Sequence, residues 1–194
     1  WCGGGGSGST KTANKGGNGG PGAVIITYNT ILPPTYEPIT NLGSDILCLP
    51  GGTTTLQVNL PKGGTITRAG TDYVHSFTTA STFDYFLSGG NIGNLHLLVL
   101  GGGGGGGRNG GGGAGEFVKY TGSLSATAGI FPIYVGSGGL GGNQLAGREI
   151  TGYRGGVSMF SNASASTKVL ANGGGGGASR DGGGAPSTGG SGAG

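Results

Sequence analysis

Leu97-Leu98-Val99-Leu100-Gly101-Gly102-Gly103-Gly104-Gly105-Gly106-Gly107-Arg108-Asn109-Gly110-Gly111-Gly112-Gly113 decides how the chain is read. An apolar run with the pattern of a buried strand passes without a linker into seven consecutive glycines, Gly101–Gly107. The event recurs. Phe131–Val135 runs into Gly136-Ser137-Gly138-Gly139, and Thr167–Leu170 passes through Ala171-Asn172 into Gly173–Gly177. A flexible linker has no reason to start repeatedly at the end of a hydrophobic strand. Ordered tracts projecting from one end of a sheet explain the repetition.

Glycine accounts for 54 of 194 residues and proline for 8, against roughly 7% and 5% in an average globular chain. That bias first suggests low complexity, with disordered linkers as the alternative to order. Only 9% of residues are charged, however, and solvated disordered chains are usually charge-rich. The glycines come in clumps, which excludes a collagen-like chain. No apolar run approaches about 18 residues, so no membrane span is expected. With 33% hydrophobic residues, a large enzyme core is not expected either.

Ordering glycine costs roughly 0.5–1 kcal/mol per residue relative to alanine. Over the whole chain that is on the order of 30–50 kcal/mol, several times a domain's net stability. A polyproline-II-like helix offers the compensation, with three residues per turn, about 3.1 Å rise and no internal hydrogen bonds. Its amides and carbonyls point outward, and glycine lets neighbouring backbones come close enough to bond one another, as burial requires. Packed glycine helices are therefore expected, Gly101–Gly107 spanning about 22 Å.

Along the rest of the chain, Gly19-Gly20-Pro21-Gly22 leads into Ala23-Val24-Ile25-Ile26-Thr27-Tyr28, which reads as a strand. Residues 29–71 read as a connector, marked by Pro33-Pro34, Pro38 and Pro50-Gly51-Gly52. It holds short strand candidates at Thr53–Leu60 and Thr65–Arg68. Tyr73–Thr78 and Thr82–Leu87 read as a pair of strands, with Asn94–Leu100 after them. The expected fold is all-β: a β-sandwich-like base with packed polyglycine II helices and little or no α-helix. Residues 1–28, 29–71 and 72–194 form its three parts.

Few residues of the chain form a recognisable chemical motif. Net charge is +3, from ten Lys/Arg against seven Asp/Glu, and the basic residues are scattered, so no nucleic-acid partner is expected. Gly136-Ser137-Gly138-Gly139-Leu140-Gly141 matches a dinucleotide fingerprint formally, but no helical pattern follows it. No Gly-Lys dipeptide supplies a phosphate loop. Gly189-Gly190-Ser191-Gly192-Ala193 falls short of a nucleophile elbow. His75 and His96 lack metal-ligand spacing, and the carboxylates show no pairing. No enzyme activity, cofactor or metal is expected.

Three minor features stay open. Cys2 and Cys48, if oxidised, would tie the first glycine segment to the connector; two unpaired thiols are the alternative. Asn162-Ala163-Ser164 is a glycosylation sequon. The polar side chains placed at turns between tracts are Arg108, Asn109, Asn143, Gln144, Arg148, Tyr153, Arg154, Arg180 and Asp181, with Leu140 among them. They either meet a receptor or cap the lattice and contact a neighbour. The first residue is Trp1, not Met, so the chain reads as processed or as part of something longer.

Val74-His75-Ser76-Phe77-Thr78-Thr79-Ala80-Ser81-Thr82-Phe83 resembles the opening of the glycine-rich domains of phage tail-fibre and adhesin proteins. The resemblance continues through Leu97–Gly107, Gly110–Phe117, Ser123–Gly129, Ile133–Gly139, Gly156–Phe160 and Asn172 with its glycines. The closing strand of such a domain resembles Gly19–Tyr28. The resemblance implies a non-enzymatic protein with a β-rich base, packed polyglycine helices and loop tips that contact host surfaces, often sugars.

The closing segment here stands at the start of the chain. The chain is thus one period of a tandem array, or inserts residues 1–28 into a neighbour, or closes on itself. The expected form is the polymer: an extracellular fibre subunit assembling head to tail with copies of itself through Gly22, Ala23, Val24, Ile25, Ile26, Thr27 and Tyr28. The alternative is a receptor-binding, adhesin-like module of a phage tail fibre, with cell-surface glycans or a host receptor as partner.

Overall fold

The computed structural model describes residues 3–6, 15–29, 63–87, 90–126, 129–142, 144–145, 148–149, 151–161 and 168–179. Its strands are β1 (Ala23–Asn29), β2 (Thr65–Ala69), β3 (Asp72–Phe77), β4 (Ser81–Leu87), β5 (Gly90–Leu100) and β6 (Phe117–Ala126). They continue with β7 (Gly129–Val135), β8 (Gln144–Leu145), β9 (Arg148–Glu149), β10 (Ser158–Ser161) and β11 (Lys168–Ala171). No described residue is helical. The fold is all-β.

Alternation places the core. Val24, Ile26 and Tyr28 of β1 turn inward and are buried, while Ile25 and Thr27 lie on the half-buried outer face. One antiparallel sheet has the order β2-β3-β1-β5-β6, the second β11-β10-β7-β4, and β8 pairs with β9. Leu95, Leu97 and Val99 of the first sheet share the core with Phe131, Ile133, Phe160 and Val169 of the second. The rings of Phe131 and Phe160 lie 5.8 Å apart and nearly parallel.

Tyr73–Thr78 and Thr82–Leu87 are both strands, as β3 and β4, but they do not pair with each other. Both edges of β3 are already taken, by β1 and β2, and β4 pairs with β7 in the other sheet. Thr78-Thr79-Ala80 lacks the glycine or asparagine of a tight hairpin turn and carries the chain between sheets. Thr53–Leu60 lies outside the described residues.

Beyond the sheets the chain runs as glycine tracts, with 101–107, fully buried, at their centre. Its amides donate in rotation at 2.8–2.9 Å. Gly101, Gly104 and Gly107 bond the carbonyls of Glu116, Gly113 and Gly110; Gly102 and Gly105 bond those of Gly156 and Tyr153; Gly103 and Gly106 bond those of Gly20 and Gly17. Its carbonyls accept from three further tracts: from Gly174 and Gly177, from Gly139 and Gly142, and from Gly5. A three-residue rotation is the turn of polyglycine II, so one helix sits inside a hexagon of others.

Bonds between neighbours close the ring. Gly19 donates to Gly139, Tyr153 to Leu140, Gly155 to Gly174, Gly113 to Gly175, Gly112 to Gly5, and Gly17 to Gly6. Where two bonds join a pair of ring tracts, one residue number rises as the other falls, so those neighbours run antiparallel. In the central tract a Cβ on Gly102, Gly104, Gly105 or Gly107 would overlap the carbonyl of Ser137, Gly175, Leu140 or Ala178. Three of the ring tracts carry exposed side chains three residues apart: Lys15, Asn18 and Pro21; Ser137 and Leu140; Arg154 and Val157.

Candidate assembly site

Residues 15–29 form a tract and a strand in one piece. β1 lies between β3 and β5, pairing Val24 with Phe77 and Val99, Ile26 with His75 and Leu97, and Thr27 with Val74 and His96. Gly22 is the joint between tract and strand. Its amide donates to the Gly136 carbonyl at 2.8 Å, and a Cβ there would collide with the Leu100 carbonyl and the Ser158 hydroxyl. Ser158 is itself buried and its hydroxyl accepts the Gly136 amide at 2.9 Å. Glycine at 22 is thus required by close approach. All of these partners belong to the same chain, which closes its own sheet and ring with residues 3–6 and 15–29.

A polar cluster marks the far end of β1. His75 of β3 is fully buried. Its Nδ1 lies 2.8 Å from the Gly63 carbonyl and its Nε2 3.0 Å from the Tyr28 hydroxyl. A carbonyl can only accept, so Nδ1 carries the hydrogen and Nε2 accepts from Tyr28. The Tyr28 ring stacks on His75 at 5.5 Å and on Tyr73 at 5.9 Å. Burial pushes the His75 imidazole below its ordinary range, opposed by the bond to Gly63. Metal-ligand spacing gives this histidine no role. The signal was parity: Tyr73, His75 and Phe77 share the inward face of one strand.

At the other end of the sheets, Glu116 joins β6 to β11. Its Oε2 accepts from both the backbone amide and the side-chain amide of Asn172 at 2.8 Å, and its own amide donates to the Asn172 carbonyl. Glu116→Ala is expected to lose about 1–3 kcal/mol, read as a fall of a few degrees in the thermal midpoint.

The proposed tips separate into groups. Arg108, half-buried, and Asn109, exposed, form the turn after the central tract, where the Asn109 amide reaches the Ala178 carbonyl. Tyr153, 56% exposed, and Arg154 sit within tract 151–157, beside Leu140, 62% exposed. They line a flank of the lattice instead of a turn. Gln144 and Arg148 lie in the β8–β9 pair. Asn143, Asn162, Arg180, Asp181, Cys2 and Cys48 lie outside the described residues. His96 points outward, its Nδ1 3.2 Å from the Thr121 hydroxyl, and lines a cleft of about 210 Å³ with Thr27, Tyr28, Asp72 and Asn94. Among the described residues no three His, Cys, Asp or Glu side chains converge.

A family model described as a glycine-rich domain matches residues 77–194. No curated protein and no solved structure matches the chain. The matched stretch starts at the last residue of β3 and holds the central tract and the ring tracts that follow it. β1 and the ring tracts 3–6 and 15–22 precede it.

Proposed function

We propose that this chain, which belongs to the family of glycine-rich domains, is a structural subunit of an extracellular fibre. Copies join head to tail, residues 1–28 of one completing the glycine-rich domain of the next. The observation that carries this reading is the position of β1, a central strand supplied from the far side of residues 30–62. Such a stretch reaches on the order of 110 Å when extended. The seat between β3 and β5 presents the same hydrogen bonds and core contacts to its own β1 or to a neighbour's. Donor and acceptor surfaces differ, so the contact is heterologous and grows into a filament when the rotation does not close. Filling the seat also covers two strand edges that would otherwise stay open to aggregation.

Shortening the connector tests this. β1 and β2 both run antiparallel to β3 from either side, hence parallel to each other. A parallel crossover needs about a dozen residues. Deleting residues 30–62 leaves three Cα steps, at most about 11 Å, between Asn29 and Thr65, whose places lie two strand spacings and four residues apart, about 17 Å; the chain cannot then close on itself, while a seat in a second copy remains within reach. The expected result is loss of the monomer by light scattering and fibres in electron micrographs, which the full chain also forms at high concentration. A compact monomer from both chains, or amorphous aggregate from the shortened one, would overturn the reading.

The second reading is a receptor-binding, adhesin-like module of a phage tail fibre. Exposed Tyr153, Leu140 and Arg154 favour it, since an aromatic face beside a guanidinium suits sugar recognition. A persistent monomer that binds cell-surface glycans would support it.

A further inference from the structure

His75 holds two segments distant along the chain at once. It bonds Tyr28, at the end of β1, and Gly63, two residues before β2. We propose that His75 is an acid-sensitive clasp on β1: protonation at Nε2 releases the strand from its seat and so opens the domain to exchange. The consequence for exchange rests on the assembly reading above; release itself is measured on the single chain.

The geometry sets the chemistry. In the seated state the neutral ring donates through Nδ1 and accepts through Nε2, so both nitrogens are used. A proton added at Nε2 turns the acceptor into a donor that faces the Tyr28 hydroxyl hydrogen. The phenol must then swing its proton away, and a cation is left in a buried place. The charged and titratable neighbours among the described residues are these. β1 presents Tyr28. On β3 stand Asp72, with its side chain at the Thr71 hydroxyl, and Tyr73. On β2 Arg68 lies over the Tyr73 ring, 5.8 Å from its centre, and Ile66 is the residue paired with His75. Gly63 and Gly64 carry no side chain. The described core residues of the second sheet are apolar apart from Ser158.

The direction with pH follows. Burial holds the seated imidazole below its ordinary value, while a released one takes its proton at about pH 6.5. Stabilisation of the seated strand is complete above that value. It is lost as the pH falls from there through the lower seated value, by up to about tenfold in the opening equilibrium per pH unit.

Hydrogen–deuterium exchange of the full chain, corrected for intrinsic rates, tests the clasp. Opening of the β1 amides is expected to stay nearly flat from pH 8 to 7 and to rise up to about fivefold from pH 6.5 to 5.5, with β10 and β11 unchanged. His75→Gln, whose carboxamide oxygen can still accept from Tyr28 but cannot titrate, is expected to lose the step; His96→Gln keeps it. In the wild type the His75 ring resonances are expected to titrate below pH 6.5. The proposal is overturned if His75→Gln keeps the step, if β10 and β11 lose protection in parallel, or if the His75 ring titrates at or above 6.5. None of these readouts depends on fibre formation, so the clasp and the assembly reading fail separately.

Discussion

Gly104→Val is expected to abolish cooperative folding, whereas Gly6→Ala is expected to be neutral or slightly stabilising. Gly104 sits in the central tract, where a Cβ would overlap the Gly175 carbonyl. Its amide donates to Gly113 and its carbonyl accepts from Gly5, both at 2.8 Å. Overpacking costs about 1–3 kcal/mol, and each displaced backbone bond adds about 1–3 kcal/mol when its buried partner is left unsatisfied. Backbone on every side blocks relaxation, so the sum approaches the whole stability of a domain, about 5–15 kcal/mol. Gly6 belongs to a ring tract and faces open space, with nothing within 4 Å of a Cβ placed there. Alanine at a compatible backbone conformation gains about 0.4–1 kcal/mol by restricting the unfolded chain. Denaturant unfolding of the two variants separates them. A mild loss at Gly104, or a severe one at Gly6, would contradict the hexagonal arrangement.

The contrast also shows what the sequence made legible. The passage from Leu100 into Gly101 is visible because a buried strand and a glycine helix have opposite side-chain demands. Those junctions define the base and the lattice above it. A hint of which tract is central also lies in the chain: Gly101–Gly107 is its longest run without a side chain, while Lys15-Gly16-Gly17-Asn18-Gly19-Gly20-Pro21 keeps one every third residue. That period stays hidden while the glycines are read as clumps, since each ring tract spans only a few turns. β6 escaped because Phe117–Ala126 mixes polar residues with Gly122, and β10 because Ser158–Ser161 is too short to show a period. Tyr153 and Arg154 look like turn residues in sequence, yet a ring tract tolerates side chains on its outer direction. His75 needed the structure, because its meaning lies in Tyr28 and Gly63, far from it along the chain.

A chain lacking residues 1–29 is expected to lose its cooperative unfolding transition and to aggregate, and a peptide of residues 15–29 is expected to restore the transition in trans. Deletion removes Val24, Ile26 and Tyr28 from the core, at about 1.5–3 kcal/mol for each aliphatic side chain. It bares the edges of β3 and β5 and strips the ring of two tracts. The amides of Gly103 and Gly106 then lose the carbonyls of Gly20 and Gly17, and the carbonyls of Gly136, Gly139 and Gly142 lose their donors. The peptide returns all of these bonds except those made by tract 3–6. It binds without the high effective concentration of a tethered segment, so restoration requires excess peptide. Ile26→Asp in the peptide places a carboxylate at a fully buried core position and is expected to abolish rescue. If the truncated chain unfolds cooperatively alone, β1 is dispensable and the assembly reading loses its basis. If the peptide rescues it, the seat accepts a strand without covalent continuity, which is what one copy must do to hold the next.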